Sequence, residues 1–190
     1  VKDSLQAFSN VTSTSFLSES IIKASRLHLI SHPISSGFAI PKYIQAIKHN
    51  ILTCSILKSI SFPHYWKIYV SRSRQKLRNV INEELVIEFL KKNDFEIIYF
   101  EDYSFWEQVY IMSFAHVLVA PHGANLVNMI WMQENSTIFE INTKETENAT
   151  LCYWSLASAL GYNYNYIPCT MIDNNFIADV DFIKQLQTYL

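Results

Sequence analysis

Residues able to do chemistry gather in three places along the chain. The first is the run Ser71 to Arg78, in which Arg72, Arg74, Lys76 and Arg78 put four cations within seven residues. Guanidinium groups bind phosphate oxygens in pairs, so such a run on the loop after a strand can clamp a diphosphate, and it can equally be a solvated basic loop. The second is Pro121-His122-Gly123-Ala124-Asn125. Gly123 lets the backbone approach a ligand closely, and a helix opening at Ala124 would aim its first free N–H groups and its dipole at the same place. His122 beside it is a hydrogen-bond partner for a bound anion or the candidate catalytic base. The third is Glu140, near the end of a strand, where a carboxylate can accept hydrogen bonds from ribose hydroxyls. Asp179-Val180-Asp181 is a D-x-D pair, the form used to hold a metal. It opens a helical pattern with no His or carboxylate cluster beside it, so it reads as a helix cap and no metal site is expected.

The elements that must position these groups follow from hydrophobic period. Val117 to Ala120 is a short apolar run ending at Pro121, a strand buried on both faces. Leu126, Val127, Ile130 and Trp131 then recur as a helix stripe, and Thr137 to Ile141 reads as the next strand. Upstream, Pro41 starts a helix carrying Ile44, Ile47, Ile51 and Leu52, and Lys67 to Val70 is a strand feeding the basic run. Asn82-Glu83-Glu84 opens a helix closed by Lys91-Lys92, with Leu85, Val86, Phe89 and Leu90 expected in the core. Phe95 to Phe100 is a strand. Ser104 to Glu107 has the S-x-x-E form of a capping box, which gives Glu107 a structural task, whereas Gln108 is a candidate for the ligand cleft. Asn128, one turn into the next helix, either reaches a ligand or caps the loop. Ala149 to Leu160 is a helix stopped by Gly161, Tyr162 to Ile167 a strand ending at Pro168, and Asp179 to Leu190 a final helix. A short strand at Leu27 to Ile30 and a Ser/Thr-rich stretch from Val1 to Lys23 precede all of this. Strands alternating with helices from Lys67 onward imply a parallel sheet wound with helices on both faces.

Composition narrows the classes. The chain has 190 residues, is 49% hydrophobic and 17% charged, and carries a net charge of −2. That is a globular balance with no global field to attract nucleic acid or anionic membrane, so any anion site is local. Three cysteines, Cys54, Cys152 and Cys169, are widely spaced, which argues against a disulfide scaffold or a cysteine zinc site. Glycine-rich dinucleotide and Walker patterns and the Gly-x-Ser-x-Gly elbow are absent from the sequence, so oxidoreductase, P-loop ATPase and serine hydrolase readings lack support. Asn-x-Ser/Thr triplets stand at Asn10, Asn135 and Asn148, as many as chance gives. No apolar stretch is long enough to span a membrane, and no targeting signal is visible.

Pro121-His122-Gly123-Ala124-x-Leu126-x-Asn128, followed by Glu140-Ile141 at a strand end, resembles the C-terminal half of glycosyltransferase family 61. Ser71-Arg72, Arg78, Asn82-Glu83 and Glu107-Gln108 match in order and approximate spacing. Two departures are visible: Asn125 stands where the family often has Gly, and Gln133 to Ser136 replaces a Pro-Gly turn. The resemblance implies a Rossmann-like, doubly wound parallel sheet like the C-terminal domain of a GT-B enzyme. It also implies inverting, metal-independent transfer of a sugar from a nucleotide sugar to a glycan or glycoprotein. On that reading Ser71, Arg72, Arg78, Gln108, His122, Gly123, Ala124, Asn125, Asn128 and Glu140 bind the donor, and no cofactor is needed beyond the donor itself. Residues 67–190 form the nucleotide-sugar-binding domain, and residues 1–66 a connecting segment or remnant of an N-terminal region. A missing N-terminal domain or partner chain would supply the acceptor side. The alternative is a non-catalytic nucleotide-sugar-binding or α/β interaction domain. The expected compartment is the cytoplasm, as for a bacterial-type enzyme, or the ER or Golgi lumen if a signal anchor precedes Val1.

Overall fold

The computed structural model describes residues 3–8, 37–143, 151–178, 184 and 186–188. Six strands form one sheet in the order β2-β1-β3-β4-β5-β6. They are β1 Lys67–Val70, β2 Glu96–Ile98, β3 Val117–Pro121, β4 Thr137–Thr143, β5 Asn163–Ile172 and β6 Asn175–Ile177. The first five are parallel and β6 runs antiparallel to β5. Helices α1 Pro41–Leu52, α2 Glu83–Lys92, α3 Phe105–Met112 and α4 Cys152–Leu160 accompany them, with a 3₁₀ helix at Ala124–Trp131. The expected mixed α/β class is therefore observed. A 2-1-3-4-5 order among parallel strands is one of the two common doubly wound orders, and it reverses between β1 and β3. In sheets of this order the loops after those two strands diverge, and the ligand crevice is expected between them at the carboxyl edge.

Because side chains alternate across a strand, each face of the sheet builds its own core. Ile68, Val70, Leu118, Ala120 and Ile138 pack with Trp106, Val109, Leu126, Leu156 and Ala157 from α3, the 3₁₀ helix and α4. Tyr69, Val119, Phe139, Ile141 and Ile167 pack with Val86 and Leu90 of α2. Each large aliphatic or aromatic side chain buried in this way stabilises the fold by about 1.5–3 kcal/mol.

Several elements differ from the sequence expectation. The segment after Gly123 winds as a 3₁₀ helix rather than an α-helix. With three residues per turn, Leu126, Met129 and Met132 stack on the buried side, and Val127 turns outward. Leu85 likewise points to solvent, so the inner face of α2 is carried by Val86 and Leu90. Strand β2 is shorter than Phe95 to Phe100, since Phe100–Asp102 winds into a 3₁₀ turn. Strand β5 passes through Pro168: β6 pairs only with Thr170 to Ile172, so one side of β5 has no ladder at Pro168 and a missing N–H is tolerated there. The β5–β6 hairpin was not anticipated. Its turn is Asp173-Asn174, both left-handed at φ 48° and 60°, as a two-residue hairpin loop demands. The expected strand at Leu27 to Ile30, the Val1 to Lys23 stretch apart from a 3₁₀ turn at Ser4–Ala7, the sequons at Asn10 and Asn148, and Asp179 and Asp181 lie outside the described residues.

Candidate functional site

The crevice is built from the ends of β1, β3 and β4. Val70 packs on the α3/α4 side of the sheet, so alternation sends Ser71 to the α2 side and Arg72 back toward the crevice. Ser71 is buried and its hydroxyl donates to Glu83 Oε2 at 2.9 Å, while Tyr69 donates to Oε1 of the same carboxyl at 2.7 Å. Ser71 thus braces the loop from the opposite face. Burial, and then Glu83, hold the Tyr69 phenol well above its ordinary pKa, which keeps it a neutral donor.

Arg72 lies directly over Gly123. A Cβ added to Gly123 would come within 2.6 Å of Arg72 Cζ and 3.2 Å of Nε. The Gly123 backbone is extended, at φ 160° and ψ 175°, so glycine is required here for close approach and not for a special conformation. The approaching group in this structure is a guanidinium. Arg78 joins it from the far end of the same loop. Its φ is 63°, and its N–H donates to Asn174 O at 2.8 Å, so the β5–β6 hairpin holds it in place. Burial lowers the Arg72 pKa, and repulsion from Arg78 lowers it further. Arg74 leaves this group: it pairs with Asp102 and lies over the Tyr99 ring.

His122 follows β3, and its Nδ1 sits 2.5 Å from Glu140 Oε1. Glu140 is wholly buried. The sequence put it near the end of its strand with a free carboxylate; it sits in the interior of β4 with both oxygens engaged. Asn142 Nδ2 donates to Oε1 at 2.9 Å, and the Tyr164 hydroxyl donates to Oε2 at 2.6 Å. The carboxyl therefore orients His122 and does not face the crevice directly. Burial, then Glu140, raise the Tyr164 phenol above its ordinary range. Tyr153 of α4 packs edge-on against His122, with ring centroids 5.1 Å apart. Its pKa is pushed up to about 12, chiefly by burial, with Arg72 and Arg78 pulling the other way.

Gln108 and Asn128 lie in an internal chain instead. Gln108 Nε2 donates to Phe100 O and Tyr103 O, its Oε1 accepts from Asn128 Nδ2 at 3.3 Å, and Asn128 Oδ1 accepts from Trp131 Nε1 at 3.0 Å. Together they tie α3 to the 3₁₀ helix. Glu107 completes the Ser104 capping box as its sequence form implied, through a 2.7 Å bond from the Ser104 N–H. Asn125 does not adopt left-handed backbone, and its Nδ2 is a buried donor with no partner, as is Arg72 Nε. Ala124 is exposed at the opening of the 3₁₀ helix. Sequence reasoning thus brought Arg72, Arg78, His122, Gly123 and Glu140 to one corner and missed Tyr153, Asn142 and Tyr164. Tyr164 and Tyr166 alternate along β5 in step with Tyr162 just before it, a pattern that could have marked Tyr164. For Tyr153 no sequence signal is evident. Among the described residues no group of three or more His, Cys, Asp or Glu could hold a metal ion.

A family model described as Glycosyltransferase 61 matches residues 3–139, which takes in β1, the basic loop, β3 and the His122-Gly123 corner. The chain belongs to glycosyltransferase family 61. Within that family it is similar to the EGF domain-specific O-linked N-acetylglucosamine transferase of Drosophila melanogaster, with 32% identity over 99 residues. The match covers 50% of this chain and 18% of that protein, so the chain spans well under two thirds of its relative's length. Family membership supports glycosyl transfer as the general activity. Among the described residues no helix is long and apolar enough to cross a membrane.

Proposed function

We propose that this chain binds the diphosphate of a nucleotide sugar in the crevice between β1 and β3, as the donor half of an inverting, metal-independent glycosyltransferase of GT-B form. The observation that carries this reading is the Arg72 guanidinium lying over Gly123, with Arg78 near enough to repel it. As the bond from the sugar to the diphosphate breaks, negative charge grows on the leaving group, and fixed cations with helix N–H donors oppose it without reorganising. Arg72 and Arg78 supply the cations, and the opening turn at Ala124 supplies the N–H groups. The unpartnered donors Arg72 Nε and Asn125 Nδ2 at this corner suit an anionic ligand after a small local shift. His122, held by Glu140, contacts the phosphate or the donor sugar and is the candidate base. Glu140 acts through His122 instead of accepting from ribose.

The acceptor side, a glycan or protein hydroxyl, is assigned to a longer natural form or a partner chain. The compartment follows that longer form: cytoplasmic for a bacterial-type enzyme, ER or Golgi lumen where a signal anchor is present.

Calorimetry with uridine and uridine diphosphate on the wild type and Arg72→Ala tests the clamp. Loss of a charge-assisted contact costs about 1.5–3 kcal/mol, so diphosphate affinity should fall about tenfold to hundredfold and nucleoside affinity should hold. Equal losses for both ligands would overturn the clamp. EDTA should leave diphosphate binding unchanged, and a manganese-dependent gain would overturn the metal-independent assignment.

A further inference from the structure

We propose that the chain carries a second ligand site, a cleft for a neutral oligosaccharide at the amino edge of the sheet. The cleft has a volume of about 710 Å³, within the range of about 300–1,000 Å³ found for small-ligand sites. It lies between α1, the residue before β3 and the turn that precedes β4. The strand β3 is five residues long, so at about 3.3 Å per residue roughly 17 Å separates this edge from the Arg72 corner.

Its chemistry selects the ligand. Leu52 and Met132 provide apolar surface, and Gln45, Lys48, His116 and Glu134 provide polar groups around it. Lys48 Nζ donates to Met132 O at 2.7 Å and to the Tyr162 hydroxyl at 2.8 Å, which fixes the ammonium and leaves one of its three N–H donors. Burial lowers the His116 pKa, which favours the neutral ring. Trp66 stacks on that ring at 3.5 Å and 16°, which fixes the plane of the wall. One ammonium and one carboxylate then cancel. With no net charge the lining exerts no long-range pull on a charged ligand, whereas a saccharide offers hydroxyls that both donate and accept and C–H faces for the apolar surface. Gln45 is a side chain of both donor and acceptor type at the rim, suited to paired hydroxyls.

The test is an amide-shift titration of the isotope-labelled chain with cellotetraose, maltotetraose and chitotetraose, with tetragalacturonate as the charged control. At least one neutral tetrasaccharide should give saturable shifts at Gln45, Glu134 and Gly161, and saturating uridine diphosphate should leave them intact. Gln45 and Glu134 are exposed, so Gln45→Ala and Glu134→Ala keep the fold. Each should weaken binding about threefold to tenfold. The proposal is overturned by no saturable shift at millimolar saccharide, by tighter binding of tetragalacturonate, by unchanged affinity in both variants, or by shifts that uridine diphosphate abolishes. Failure of the diphosphate to bind at the Arg72 corner would leave these outcomes as they are, so the two sites are judged separately.

Discussion

Gly123→Ala separates the crevice from the fold. An added Cβ would stand 2.6 Å from Arg72 Cζ, whereas carbon atoms settle at about 3.5–4.0 Å, so the guanidinium must retreat by about 1 Å or more. The atoms that an added Cβ would meet are the far end of a flexible side chain and not backbone. The extended backbone at Gly123 accepts alanine, and losing glycine's unfolded freedom favours the folded state by about 0.4–1 kcal/mol. Melting temperature should therefore hold or rise slightly. Diphosphate affinity should nevertheless fall by about as much as in Arg72→Ala, because the same contact is displaced: about 1.5–3 kcal/mol, roughly tenfold to hundredfold. A double-mutant cycle by calorimetry makes this decisive. In an Arg72→Ala background the three nearest atoms that the new Cβ would meet are gone, so its further effect should vanish. Fully additive losses, or a large fall in melting temperature with diphosphate affinity intact, would refute the reasoning.

Ser71→Ala should lower stability by about 1–3 kcal/mol, because a buried carboxyl loses a donor, while diphosphate affinity stays near wild type since Tyr69 still holds the other oxygen of Glu83. Denaturant melts beside calorimetry check this, and a selective loss of affinity would return Ser71 to the crevice. Ser104→Ala removes the capping box of α3 and should cost about 1 kcal/mol of stability in denaturant melts without touching binding. Alkaline unfolding tests Tyr153, whose pKa is pushed up to about 12. The folded state holds its proton where an unfolded tyrosine ionises, so this contribution is intact below about pH 10 and is lost between about 10 and 12. Tyr153→Phe should flatten the fall of stability in that window, and an unchanged slope would count against burial of the phenol.

The strand, tight turn and following helix around His122 were legible because an apolar run, a proline and a glycine punctuate them. The capping box was legible for the same reason: its signal is local. What was not legible depended on parity or on distant chain. Ser71 and Arg72 are adjacent and both fit a phosphate loop, yet one residue of shift moves a side chain to the other face of the sheet. Arg78 owes its place to Asn174, nearly a hundred residues away in sequence, and the hairpin that carries Asn174 was hidden by reading Pro168 as a strand end. Glu140 looked like a ribose acceptor because its strand was taken to stop at Ile141. The strand runs on to Thr143, and the extra length places Glu140 among His122, Asn142 and Tyr164.

The parity that divides Ser71 from Arg72 is itself held by chemistry on the far side of the sheet. Glu83 opens α2 with its carboxyl buried, and a buried carboxyl without partners is costly. Tyr69 and Ser71, two residues apart and so on one face, each donate to one of its oxygens. A slip of one residue at the end of β1 would withdraw the Ser71 hydroxyl from Glu83 and turn Arg72 into the apolar core against α2, an uncompensated charge in place of a satisfied acid. Both consequences oppose the slip. The bracket of Tyr69, Glu83 and Ser71 thus pins the register at the point where β1 ends, and Gly123 across the crevice leaves room for the side chain that this register presents. Arg72 is aimed from behind by a buried carboxyl it never touches, which explains why Ser71-Arg72 and Asn82-Glu83 work as one unit although the loop between them is exposed.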